Sequence, residues 1–143
     1  MPIWYRDYHV EQFAQRGKGT ASEHLGIEFT ELGDDYLVGR MPVDARTRQP
    51  AGILHGGASA LLAETLASSA ANIVIDNTTH ICVGLEINAN HISSCKEGWV
   101  EGVARPIHLG KSTQVWEVRI TQGDRLVCIS RMTAAILERK AGK

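Results

Sequence analysis

The sequence predicts an α+β fold in which a long central helix is wrapped by a curved antiparallel sheet of about six strands. Three observations carry this. Residues Gly57 to Ile75 form a run of helix formers, mostly Ala and Leu, with Glu64 as the only charge. After Asn77 the chain switches to segments that alternate with period two, joined by short turns. The 143 residues suffice for one domain with a sizeable core and not for two ordinary ones, so 1–143 is read as a single domain.

In chain order, Val10 to Gly17 is a short amphipathic helix stopped by Gly17 and Gly19. Gly26 to Thr30 is the first strand. Gly33-Asp34-Asp35 turns into Tyr36 to Met41, giving a hairpin. A polar loop from Asp44 to Pro50 enters the central helix. Gly56 and Gly57 suit a tight entry; Ser59 would cap a late start, while a start at Gly57 fits equally well. About 18 residues of helix span roughly 27 Å. An apolar or small surface nearly all round predicts burial. Ile73-Val74-Ile75 and Asp76-Asn77 mark its end.

Beyond it, Ile81, Val83, Leu85, Ile87 and Ala89 are expected on one strand face. Cys82, Gly84, Glu86, Asn88 and Asn90 fall on the other. Trp99 to Arg105 is the next strand, with Pro106 marking an edge or bulge. Thr113 to Thr121 alternates, Trp116, Val118 and Ile120 opposing Val115, Glu117 and Arg119. Leu126 to Leu137 is the last strand, and the tail Glu138 to Lys143 is expected to fray.

Composition excludes several classes. Net charge is −1 with no basic block, which gives no drive toward nucleic acid or an anionic membrane. No uncharged apolar run reaches membrane-spanning length, and the start lacks a signal-peptide core. Three cysteines without a Cys-x-x-Cys pair suit buried thiols in a reducing compartment, so the cytoplasm is expected. The histidines at 9, 24, 80 and 108 lack metal-ligand spacing, so no metal is expected.

The chemistry concentrates at the helix. Its N-terminus offers free N–H groups and a partial positive charge. Gly56 or Gly57 can bring a backbone N–H to a carbonyl oxygen, the geometry of an oxyanion site. Gln49 and His55 flank it. Glu64 is the candidate general base or nucleophile, with Ser68 one turn on and on the same face. The ordinary readings are a plain Gly-Gly turn, a satisfied loop histidine at 55 and a structural histidine at 91. Glu64 follows Gly56 by eight residues, about 12 Å of helix. A donor and an attacking group must both lie about 3 Å from one reacting centre. One chain does not easily achieve this, whereas two chains with antiparallel helices across a twofold do.

Several segments carry a resemblance. They are Met41-Pro42-Val43-Asp44-x-Arg46-Thr47-x-Gln49-Pro50, Leu54-His55-Gly56-Gly57-x-Ser59-x-x-Leu62-Ala63-Glu64, Val83 to His91, and Gln114-Val115-Trp116. With them the chain resembles the hotdog-fold acyl-CoA thioesterases of the phenylacetate-pathway type, over nearly its whole length. The resemblance implies a site between two subunits. Glu64 then acts as base or nucleophile and the Gly56 N–H as oxyanion donor. Gln49 and His55 position the carbonyl and that glycine, while Ser68 and His91 assist with water or the leaving group. Gly57 and Thr65 join the substrate-binding set. The turn His108-Leu109-Gly110-Lys111, with Ser112, lies near the pantetheine and nucleotide arm. The substrate it implies is an acyl-CoA or acyl-carrier-protein thioester, without metal or redox cofactor, and the implied assembly a homo-oligomer, usually a dimer of dimers. Ala51 stands where relatives often carry an aromatic residue, and Ala67 where close relatives often carry glycine; both bear on the acyl group. The other readings are a hydratase of the same fold and a non-catalytic acyl-CoA-binding protein.

Overall fold

The computed structural model describes residues 1–140. Its elements are α1 (Glu11–Arg16), α2 (Ala21–His24), β1 (Glu28–Leu32), β2 (Leu37–Pro42), α3 (Gly56–Val74), β3 (His80–His91), β4 (Trp99–Leu109), β5 (Thr113–Gln122) and β6 (Arg125–Glu138). The strands form one antiparallel sheet in the order β1-β2-β4-β5-β6-β3. Helix α3 packs across it. Its Leu62, Ala63, Leu66, Ala67, Ala70 and Ile73 meet Trp116, Val118, Ile120 and Met132 in a core closed to water.

Close approach of α3 depends on a hole in the sheet. Gly39 and Gly102 are paired across β2 and β4. A Cβ on either would lie 2.6 Å and 2.7 Å from the two methyl groups of Leu66. Leu66 is the knob and the glycine pair the hole, so the helix axis sits closer than side chains would allow.

The structure corrects several expectations. Helix α2 was not anticipated; four residues are too few to show a period. The helix α3 begins at Gly56 and is capped by His55, whose Nδ1 accepts the Gly57 N–H at 2.8 Å; Ser59 is buried one turn inside. Nor is α3 buried all round. Gly57, Leu61, Glu64, Thr65, Ser68 and Asn72 form a stripe the sheet leaves uncovered. On β3 a bulge between Gly84 and Glu86 swaps the faces, because one extra residue reverses the alternation. Cys82 and Gly84 therefore face the helix before it, and Ile87 and Ala89 after it. Val83 and Leu85, expected to share a face with Ile87 and Ala89, stand exposed at 37% and 62%. Strand β3 pairs with β6 and forms an edge of the sheet, an arrangement the sequence does not specify.

Strand β4 continues past Pro106 to Leu109, with the anticipated bulge between Pro106 and His108. Its pairing with β2 ends at Ala104, so Pro106 has no second neighbour to disappoint. Trp99 is 41% exposed under the Arg40 guanidinium at 4.1 Å, whereas Trp116 is core. At the chain's end Glu138 closes β6, and Arg139 is held by its N–H to the Thr79 carbonyl and its Nε to the Asn77 carbonyl. Residues 141–143 of the expected frayed tail lie outside the described residues.

Candidate active site

The loop before α3 is built to present donors. Gly52 takes φ +82°, and its N–H reaches back to the Gln49 carbonyl. The Gln49 Oε1 accepts the Ala51 N–H, which leaves its Nε2 as the outward group. The His55 N–H donates to the Thr47 carbonyl, and Thr47 is buried with its hydroxyl on the Pro42 carbonyl. With Nδ1 accepting from Gly57, the neutral His55 ring carries its proton on Nε2. The Gly56 N–H has no partner among the described residues. A side chain at 56 would displace His91, since a Cβ would lie 2.7 Å from its Nε2. Gln49, Gly56, Ser59 and His91 line a cleft of about 330 Å³.

Glu64 opens elsewhere. Its carboxylate lies over Gly84 of β3, where a Cβ would be 3.2 Å from Oε2. No ion pair among the described residues reaches it. Glu64, Thr65 and Ser68 share a larger cleft of about 540 Å³ with Arg16, Phe13 and Phe29. Phe13 and Phe29 stack at 4.9 Å and 28°. Thr65 Oγ1 is 3.4 Å from Ser22 Oγ, and the Ser68 hydroxyl points to the Met132 sulfur at 3.9 Å.

One chain thus joins Gln49, Gly56 and His91 in one place and Glu64, Thr65 and Ser68 in another. His55 acts behind the first cleft, as the cap that shapes it. His108, Gly110, Lys111 and Ser112 sit on the β4–β5 hairpin and line neither cleft; the His108 ring folds over Gly110. The sequence reading missed Phe13, Phe29 and Arg16 beside Glu64. It also missed Asn72, which is four residues beyond Ser68 and therefore on the same helix face. Cys82 faces this region, but burial pushes its thiol up to about 11, so it stays protonated at neutral pH and is no nucleophile. No group of three or more metal-ligating side chains occurs among the described residues. Among the described residues no helix is long and apolar enough to cross a membrane.

A family model described as the thioesterase superfamily matches residues 51–129, the span that holds Gly56, Glu64 and His91. The chain belongs to the thioesterase superfamily. It is 48% identical over 136 residues to the 1,4-dihydroxy-2-naphthoyl-CoA hydrolase of Escherichia coli, with 94% of this chain and 99% of that one covered. To the proofreading thioesterase EntH of Cronobacter turicensis it is 47% identical over 136 residues, covering 94% and 98%. The crystal structure of a mutant thioesterase PA1618 from Pseudomonas aeruginosa matches with a TM-score of 0.94 at 42% identity, covering 96% of this chain and 99% of that one. The protein is a hotdog-fold thioester hydrolase.

Proposed function

We propose that this thioesterase hydrolyses aromatic acyl-CoA thioesters to free acid and CoA, at sites completed by two copies of the chain. The observation that carries the reading is the separation of the two clefts. Donors suited to a thioester oxygen line one, and the only carboxylate of the helix opens in the other. In an antiparallel pair the Gly56 N–H and Gln49 Nε2 donate to the carbonyl oxygen of the substrate. Glu64 of the second copy then takes a proton from water as the C–O bond forms, or attacks first and leaves water to open the anhydride. On the base route the C–S bond then breaks and the thiolate takes that proton from Glu64. On the nucleophile route the thiolate leaves first, and the water that opens the anhydride supplies its proton. Beside Glu64 the stacked Phe13 and Phe29 offer an apolar wall for an aryl group.

The sheet edges support a second copy. The β1 edge is only five residues long, bulged and charged, as guarded edges are. The β3 edge runs for twelve residues, with Val83 and Leu85 exposed and the open stripe of α3 beside it. A dimer of dimers in the cytoplasm, with the nucleotide arm along His108 to Ser112, completes the proposal; a carrier-protein thioester would present the same reactive group.

Mixing tests it. Glu64→Ala chains, lacking the carboxylate, and Gln49→Ala chains, lacking the side-chain donor, are each expected to release little thiol from benzoyl-CoA. Refolded together at equal amounts, they form mixed dimers with one intact site, and about a quarter of the normal activity returns. Failure of any mixture to recover activity overturns the shared site.

A further inference from the structure

Resting on the two-chain reading above, we infer that Asn72 is a positioning residue that sets the register in which two β3 edges pair, and that this register is centred on Asn88. Ile136 of β6 is the residue opposite Cys82 of β3, yet its N–H donates away from β3 to the Ser112 carbonyl at 2.9 Å. The Cys82 N–H and C=O therefore point to the free edge. Asn72, reaching from α3, occupies both: its Oδ1 accepts the Cys82 N–H at 2.9 Å, and its Nδ2 donates to the Cys82 carbonyl at 3.2 Å. The same Nδ2 donates to the Ser68 carbonyl at 2.9 Å, which anchors the amide to its own helix. One side chain thus plays the part of a neighbouring strand at Cys82 and closes the edge there.

Beyond this stop, the bulge at Leu85 brings Gly84 into step with Ile87, Ala89 and His91, which also turn their N–H and C=O groups to the free edge. A twofold pairing can match only such positions with each other. The open span from Gly84 to His91 is filled when Gly84 lies opposite His91 of the second copy and Ile87 opposite Ala89. The axis then passes by Asn88. A separate observation selects the same register. Glu64 Oε2 sits over Gly84, and the Gly56 backbone lies against His91. Setting Gly84 opposite His91 therefore carries the carboxylate of one chain to the N–H of the other. Were Asn72 absent, the edge would extend to Cys82, and the fully paired alternative would centre on Ile87. That slides one strand past the other by two residues, about 6.8 Å, and parts Glu64 from Gly56.

The test uses a cysteine reporter. Across a twofold at 88, the two Asn88 residues form a non-hydrogen-bonded pair about 4.5 Å apart at Cα, within disulfide range. The protein's three native cysteines are buried. Asn88→Cys in the otherwise normal chain is expected to cross-link to a covalent dimer on mild oxidation. Asn72→Val, on that background, is expected to remain a folded dimer by circular dichroism and size-exclusion chromatography. Its cross-linking should fall several-fold, and its kcat by about 10²-fold, as misplacement of reacting groups costs. Adding Cys82→Pro, which removes the freed edge N–H, should restore both; a merely structural loss would not recover. A dimer that cross-links at 88 equally with and without Asn72 overturns the role of Asn72 and leaves the two-chain site standing. A dimer whose Asn88→Cys chains never cross-link, although the mixing experiment succeeds, overturns the register. A fully active monomer overturns the two-chain reading itself.

Discussion

The two clefts of this chain are built to different standards. Around Gly56 the loop is tied: His55 caps the helix and Gln49 is fixed by its own loop, with His91 packed against the glycine. Around Glu64 little is fixed. The carboxylate is exposed, Thr65 has one long contact to Ser22, and Ser68 meets only a thioether. Groups that polarise a carbonyl act by being rigid before charge develops. A carboxylate that must meet water and a partner's substrate gains nothing from being locked within its own chain. On the two-chain reading proposed above, the electrostatic half of the chemistry belongs to one protomer and the proton-handling half is set by assembly.

Substitutions on the two sides should therefore fail differently. The largest effect is expected at Glu64. Glu64→Ala should lower kcat for thiol release by about 10²–10⁴-fold, the usual range for a positioned base. Its melting temperature should hold, because no ion pair is lost; a stability loss matching the activity loss would make Glu64 structural. Gly56→Ala keeps its backbone N–H, but the new methyl drives His91 aside and narrows the cleft the carbonyl must enter, which should cost about 10²-fold in kcat. Near-normal turnover there would place the carbonyl away from His91.

Away from both clefts, Gly102→Ala forces a methyl against Leu66 and should destabilise by about 1–3 kcal/mol, read by urea unfolding. Activity per folded molecule should survive, because the clash lies beneath the helix. His55→Ala removes the cap and should cost about 1 kcal/mol, with a kcat loss smaller than that of Gly56→Ala. The last effect appears only at alkaline pH. The Cys82 thiol ionises near 9 in the unfolded chain and about 11 in the fold. Its contribution is complete below 9 and disappears as the pH rises through 11, a loss that Cys82→Ala should abolish.

Much of this contrast was legible beforehand, for physical reasons that can be named. A small-residue helix with one charge announced a central element, and strict alternation from Gln114 to Ile120 announced a half-buried strand. The separation of Gly56 and Glu64 followed from helical rise alone. The bulge at Leu85 was not legible, because Ile81 to Ala89 alternates as well without it; packing against α3 decides. The cap was missed because imidazole is not among the usual N-cap side chains. Asn72 read as one more polar residue near a helix end, and only the sheet gives its amide something to hold. Strand order was hidden too, since period two names faces and not neighbours.

The chain's first residues carry a consequence for anyone who handles the protein. The Tyr5 N–H takes the carbonyl of Ile73, the residue after Asn72, while Tyr5 and Arg6 clasp Asp76 and Trp4 stacks on Trp116. Residues 4–6 are thus a strap over the last turn of α3. A bulky label attached to the exposed Tyr5 would lever the strap upward and loosen the turn beneath it.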